Sequence, residues 1–240
     1  MLRVLRADLH RLFRSPVFYI TPAFMIGTVL ISAIRRNDAP FTMGLDTLIL
    51  SASQMMSVIT MAAVCVVMIF LWAQENRNCF IKNIAGNVTG RHIPTLSKLI
   101  TGAIVTVIYT LATFLFVLFG NILNGGTIVK ADAGDAIVQV LLWMLTGLVA
   151  LSLMLLLFET TKSSALCYIA TLLFWTKMIE ELIIQLFYFL LKIDNVGRYL
   201  IIYGNVWENS GTVENFIRNA LYLAVFGAAA LIIAKKSDVR

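Results

Sequence analysis

Residues 75–99 read ENRNCFIKNIAGNVTGRHIPTLSKL, from Glu75 to Leu99. This stretch is polar and basic, with two glycines and a proline, and strongly apolar runs flank it on both sides. Its neighbours decide how it is read. If they cross a bilayer, the stretch is a loop at the membrane surface, and the whole chain is a bundle of helices around such loops.

The composition favours that frame. Of the 240 residues, 60% are hydrophobic and only 13% are charged, with a mean hydropathy of +0.87. A soluble domain carries about a quarter charged residues to face water, so this chain has too little charge to cover a globule and reads as an integral membrane protein. Its formal charge of +6 is scattered between apolar runs. No basic stripe with interleaved aromatics forms, which excludes nucleic acid as a partner and leaves topogenic charge.

Six apolar segments can be drawn: Val17–Ile34, Leu48–Ala73, Leu99–Leu123, Ala136–Phe158, Ser164 to about Ile184, and Phe216–Ala234. Each reaches the ~17–25 residues that cross a hydrocarbon core. Backbone groups in that core must be satisfied within the segment, so the expected fold is all-α, six transmembrane helices in one domain over residues 1–240. Lys and Arg set the orientation. Twelve of the nineteen fall in the N-terminal tail, the 75–98 loop, Lys162 and the C-terminal tail. The positive-inside rule puts these in the cytoplasm, against the vote of Arg35 and Arg36, so both termini are expected inside.

The first residues, MLRVLRADLHRLFRSP, place Leu2, Leu5, Leu9 and Leu12 at helical spacing with Arg3, Arg6, His10 and Arg14 off that stripe. Residues 1–15 therefore read as an amphipathic helix lying in the headgroups, leucines down and arginines on anionic lipid. Pro16 marks the turn into the first span. A basic region before an apolar run also resembles a signal peptide; without a small-x-small cleavage site it reads as uncleaved.

The fifth segment is irregular. From Ser164 to Leu191 it would extend about 42 Å as one helix, and Lys177, Glu180 and Glu181 interrupt it. Either it is one tilted span with Lys177 paired to Glu180 or Glu181, or it ends near Thr176 and a second short helix dips back from the outside. Carboxylates inside a membrane signal function, so these three residues are candidates for a gate or pathway.

No GxxxxGK[ST], GxSxG or HExxH motif is present. Cys65, Cys79 and Cys167 have neither CxxC spacing nor a histidine cluster, so no metal site or disulfide framework is expected. The chain reads as a non-enzymatic pathway or scaffold whose energy comes from elsewhere. Within the 75–98 loop, NRNCFIKNIAG reads as a short helix with Phe80, Ile81 and Ile84 on one side and Arg77 and Lys82 displaced from them, ended by Gly86 and Gly90. It suits docking into a partner's groove; the alternative is a basic connector resting on lipid.

These residues carry a resemblance. ENRNCFIKNI, then GRHI, then SKL, is similar to the signature after the second span of type-2 ATP-binding-cassette (ABC) permeases, at Glu75, Arg77, Ile81, Lys82, Arg91 and Lys98. It departs at Asn78-Cys79-Phe80, where that family commonly has N-G-T, and at Gly90, where Ser is usual. The resemblance implies a coupling helix docking on a separate cytoplasmic ATP-binding subunit. Phe80 and Ile84 would be the anchors, and Arg77, Lys82 and Arg91 would be oriented by that partner's carboxylates. It implies no cofactor in this chain, since ATP and Mg would bind the partner, and a second permease subunit, homo- or heterodimeric. The N-terminal helix would be a connecting helix moving with the permease. The small bacterial systems it resembles expel antimicrobial peptides, drugs or lipid-like molecules across the plasma membrane. Two other readings are a channel or ion-coupled carrier using Lys177, Glu180 and Glu181, and a non-transporting membrane assembly subunit.

Overall fold

A computed structural model describes residues 2–34, 43–44, 60–75, 93–123, 128–129, 133–176, 178–193, 196–201 and 212–236. Among these the chain is helical apart from a two-residue parallel pairing of Met43–Gly44 with Ile128–Val129. Eight α-helices are formed: α1 (Leu2–Arg14), α2 (Pro16–Ile34), α3 (Thr60–Glu75), α4 (Ile93–Leu123), α5 (Ala133–Thr161), α6 (Ser164–Trp175), α7 (Met178–Leu191) and α8 (Thr212–Lys236). A 3-10 turn, Val196–Tyr199, lies between the last two.

Among the described residues, three helices hold segments long and apolar enough to cross a membrane: Ile93–Phe116 in α4, Val140–Thr161 in α5 and Val213–Lys236 in α8. At about 1.5 Å per residue, the 31 residues of α4 extend roughly 46 Å, well beyond a hydrocarbon core of about 30 Å. Beside the buried Val105 and Tyr109, α4 turns small and hydroxyl side chains inward and a continuous apolar stripe outward. Thr101, Gly102, Thr106, Thr110 and Thr113 face the interior, while Val107, Leu111, Leu115, Phe119 and Ile122 line the outside. Water would penalise that outer stripe and lipid does not, and small residues at a helix interface let backbones approach. The molecule has the character of a membrane protein.

α4 and α5 run antiparallel, as their contacts show: Thr95 meets Glu159 at one end and Gly102 meets Leu151 further along. A Cβ placed on Gly102 would lie 2.1 Å from Leu151 Cδ2, and one on Gly147 2.9 Å from Thr106 Cγ2. The hydroxyls of Thr106 and Thr146 fold back onto the carbonyls of Gly102 and Leu142, which satisfies both side chains within their own helices. Around it gather α3, through Trp72 against Phe158 at 5.5 Å between ring centres and Thr60 against Thr113 at 3.1 Å, and α8, through Asn219 to Thr146 at 3.4 Å.

The corner between α1 and α2 follows from Ser15-Pro16. Pro16 cannot donate an N–H and its ring drives Ser15 out of the helical region, so α1 ends there and proline opens α2. Backbone bonds from Ser15 to Leu12 and from Phe18 to Ser15 close the corner. α1 does not only float in headgroups. Val4, Asp8, Leu12 and Ser15 are buried at helical spacing, with Leu9 against the core, so the helix packs on the protein, chiefly on α4, and exposes Arg3, Arg6, His10, Phe13 and Arg14.

The expected fifth segment is two helices. α6 has 12 residues, about 18 Å, and ends at Thr176, whose N–H and hydroxyl both bond the Leu172 carbonyl. That is too short to cross a bilayer core in one straight helix. α7 then begins with Glu180 and Glu181 in its first turn, where acidic side chains suit the positive end of the helix dipole. The second expected segment, Leu48–Ala73, lies within the described residues only from Thr60 onward, as α3.

Candidate functional site

The polar centre of the described residues sits where α3 ends and α4 begins, at the two mouths of the 76–92 stretch. Glu75 closes α3 and is 4% exposed; Lys98, in the second turn of α4, is 2% exposed. Their side chains meet at 3.4 Å. Lys98 also reaches Glu159, near the end of α5, at 3.5 Å, and its ammonium lies 5.3 Å from the centre of the Phe158 ring. One buried cation is thus shared by two buried carboxylates and an aromatic face.

α1 completes the cluster. Arg11, 28% exposed, pairs with Glu75 at 3.5 Å. Asp8, 1% exposed, accepts a 2.5 Å hydrogen bond from the Ser97 hydroxyl and lies beside the Glu75 carboxyl. On the other flank Glu159 accepts from the Thr95 hydroxyl at 3.1 Å and pairs with Lys162, which is 48% exposed. Lys162 ends α5 in the left-handed region at φ 54°, a turn that returns its ammonium to Glu159 three residues back.

Four helices therefore converge on one charge cluster at one end of the bundle. Buried charges are costly unless paired and hydrogen-bonded, and removing any one partner strands another. Burial pushes the Glu75 carboxyl up to about 7; Lys98 and Arg11 pull against that, and the neighbouring Asp8 adds to it. Burial likewise raises Asp8 above its ordinary value, against the hydrogen bonds from Ser97 and Glu75 and the charges of Arg11 and Lys98.

Of the residues singled out from sequence, Glu75 belongs to this cluster and is buried in this chain's own interior. Arg77, Phe80, Ile81, Lys82, Ile84, Arg91 and Lys177 lie outside the described residues. Glu180 is 1% exposed, while its neighbour Glu181 is exposed on α7. Sequence reasoning missed Asp8, Arg11, Glu159 and Lys162 as members of one site. The available signals were the lone acid in a basic amphipathic helix and the Glu159–Lys162 spacing in FETTK, beside the polar loop in orientation but distant in sequence.

The geometry defines a membrane-type helical protein with a buried ion cluster at one end of its bundle. Comparison with models of known protein families finds no match, and no characterised protein matches the chain.

Proposed function

We propose that the chain is the permease subunit of an ATP-dependent exporter, with six spans and both termini in the cytoplasm of a bacterial cell. In this reading the 75–98 loop docks on a separate ATP-binding subunit. ATP and Mg bind there, a second permease subunit completes the path, and an amphipathic substrate passes between the two.

One observation carries the reading: residues 93–98, expected in the loop, are the first turns of α4, and Lys98 there forms a buried ion pair with Glu75, where α3 ends. Both are positions at which the sequence resembles type-2 ABC permeases. A loop that only joins two helices needs no such mount. A loop that transmits a push does, because force applied to it must move α3, α4, α5 and α1 as one body.

The test is affinity purification of the tagged protein in mild detergent from its native host, followed by mass spectrometry and an ATPase assay. A stoichiometric nucleotide-binding chain is expected, lost when Arg77 and Lys82 are charge-reversed together with Phe80→Asp. Intact protein emerging alone across several detergents overturns the proposal.

The burial of Glu180 favours a second reading, an ion-coupled carrier or channel. It requires flux without any ATPase partner and loss of that flux in Glu180→Gln.

A further inference from the structure

Three buried carboxylates, Asp8, Glu75 and Glu159, share one fully buried cation, Lys98, and its ammonium is directed to Glu75 and Glu159. Arg11 and Lys162 lie at the rim, the latter serving Glu159. Asp8 is left with the Ser97 hydroxyl on Oδ2, while its Oδ1 is buried and meets no donor among the described groups. Beside it lie the Glu75 carboxyl and, further off, the charges of Arg11 and Lys98. Two ionised carboxylates only accept hydrogen bonds and repel each other; adding one proton turns the same contact into a donor and an acceptor.

We propose that Asp8 and Glu75 hold a single proton between them, and that this proton fastens α1 to the bundle, making the joint between the N-terminal helix and the mouth of the 76–92 loop sensitive to pH. The groups facing the pair are Arg11 from α1, Ser97 and Lys98 from α4, and, through Lys98, Glu159 and Lys162 from α5. Loss of the proton places two anions in contact in a buried site. Arg11, partly in water, and Lys98 act on both carboxylates and offset only part of that repulsion. Because Asp8 lies on α1 and Glu75 on α3, the repulsion acts across the α1–bundle joint and nowhere else. Raising Glu75 to about 7 by burial puts the change in the neutral range, where a cell's interior varies. The inference does not depend on what the protein carries, nor on an ATPase.

The full chain in lipid nanodiscs supplies the test, by infrared difference spectroscopy between pH 5 and pH 9 and by hydrogen exchange of the α1 amides, corrected for intrinsic rates. Expected is a protonated-carboxyl band titrating near neutrality, missing in both Asp8→Asn and Glu75→Gln. α1 protection should fall about tenfold over the same pH range in the wild type and stay level in Glu75→Gln. No band near neutrality, a band that persists in either variant, or α1 protection independent of pH overturns the proposal. If a variant does not fold, the wild type decides: the band and the α1 protection share one midpoint, or the proposal fails.

Discussion

The hydroxyl of Tyr109 donates a 2.7 Å hydrogen bond to the Phe18 carbonyl, the very acceptor that Pro22, four residues on inside α2, has no N–H to reach. A proline within a helix strands the carbonyl one turn earlier, and in an apolar surrounding that costs a few kcal/mol unless another donor arrives. Tyr109, on α4, is that donor, and its ring packs 5.6 Å from Phe18. The defect in α2 thereby becomes the point that fixes α2 to α4.

Tyr109→Phe keeps the ring and removes the donor, so it should destabilise by about 1–3 kcal/mol. Pro22→Ala restores an N–H for the same carbonyl, and in that background Tyr109→Phe should cost markedly less. Thermal unfolding of the four proteins in one detergent measures the coupling. Equal costs in both backgrounds would show that the two residues do not share the Phe18 carbonyl.

Lys98→Met removes the cation shared by Glu75 and Glu159, leaving buried carboxylates uncompensated, at a cost of about 3–5 kcal/mol. Lys162→Met breaks a pair whose cation is half exposed, a class of contact worth only about 0–1 kcal/mol. Folded yield and denaturant midpoints should separate the two variants clearly. Similar losses would mean that Lys98 is not the centre of the cluster.

Glu75 titrates at about 7 in the folded protein against 4.5 for the ordinary group. The folded state therefore binds the extra proton between those values. The stabilisation is fully present below about 4.5 and is lost as pH rises through about 7, by at most about 3 kcal/mol. The quantity to follow is the difference between wild type and Glu75→Gln across pH 4.5–8, which removes the contribution of acids that do not interact with Glu75. A difference that grows in favour of the wild type as pH rises has the wrong sign for this account.

Gly102→Ala should separate α4 from α5, since the added Cβ would lie 2.1 Å from a Leu151 methyl in a fully buried setting. Overpacking of this kind costs about 1–3 kcal/mol. Leu151→Ala removes the obstructing methyls, so the double variant should regain part of what Gly102→Ala loses. Additive losses in thermal unfolding would place the clash elsewhere.

Apolar length made α4, α5 and α8 legible in the sequence, because a run of that length leaves a helix few alternatives. The polar interruption at Lys177, Glu180 and Glu181 marked the irregular segment, and the structure answers with a break at Thr176. The inward face of α1 was not legible. Its leucine stripe reads as a lipid face by periodicity alone, yet Leu9 and Leu12 of that stripe turn to the core, and Val4 and Asp8 on the adjoining face are buried with them, chiefly against α4. Periodicity tells which residues share a side of a helix, not whether lipid or protein lies there. The ion cluster escaped for a related reason: Asp8 and Ser97 are 89 residues apart and Thr95 and Glu159 are 64 apart, and nothing local in either partner announces the other.

Those separations also impose an order on synthesis. α1 and α3 leave the ribosome carrying Asp8, Arg11 and Glu75 before Lys98 exists, and Lys98 in turn precedes Glu159 by most of a hairpin. Until the end of α5 is made, each of these groups must be kept hydrated at the membrane surface, because none can be buried without its partners. The last turn of α5 is therefore the step that lets the earlier helices settle. A nascent chain halted before Glu159 should present an open, water-accessible end whose N-terminal helix has yet to find its place.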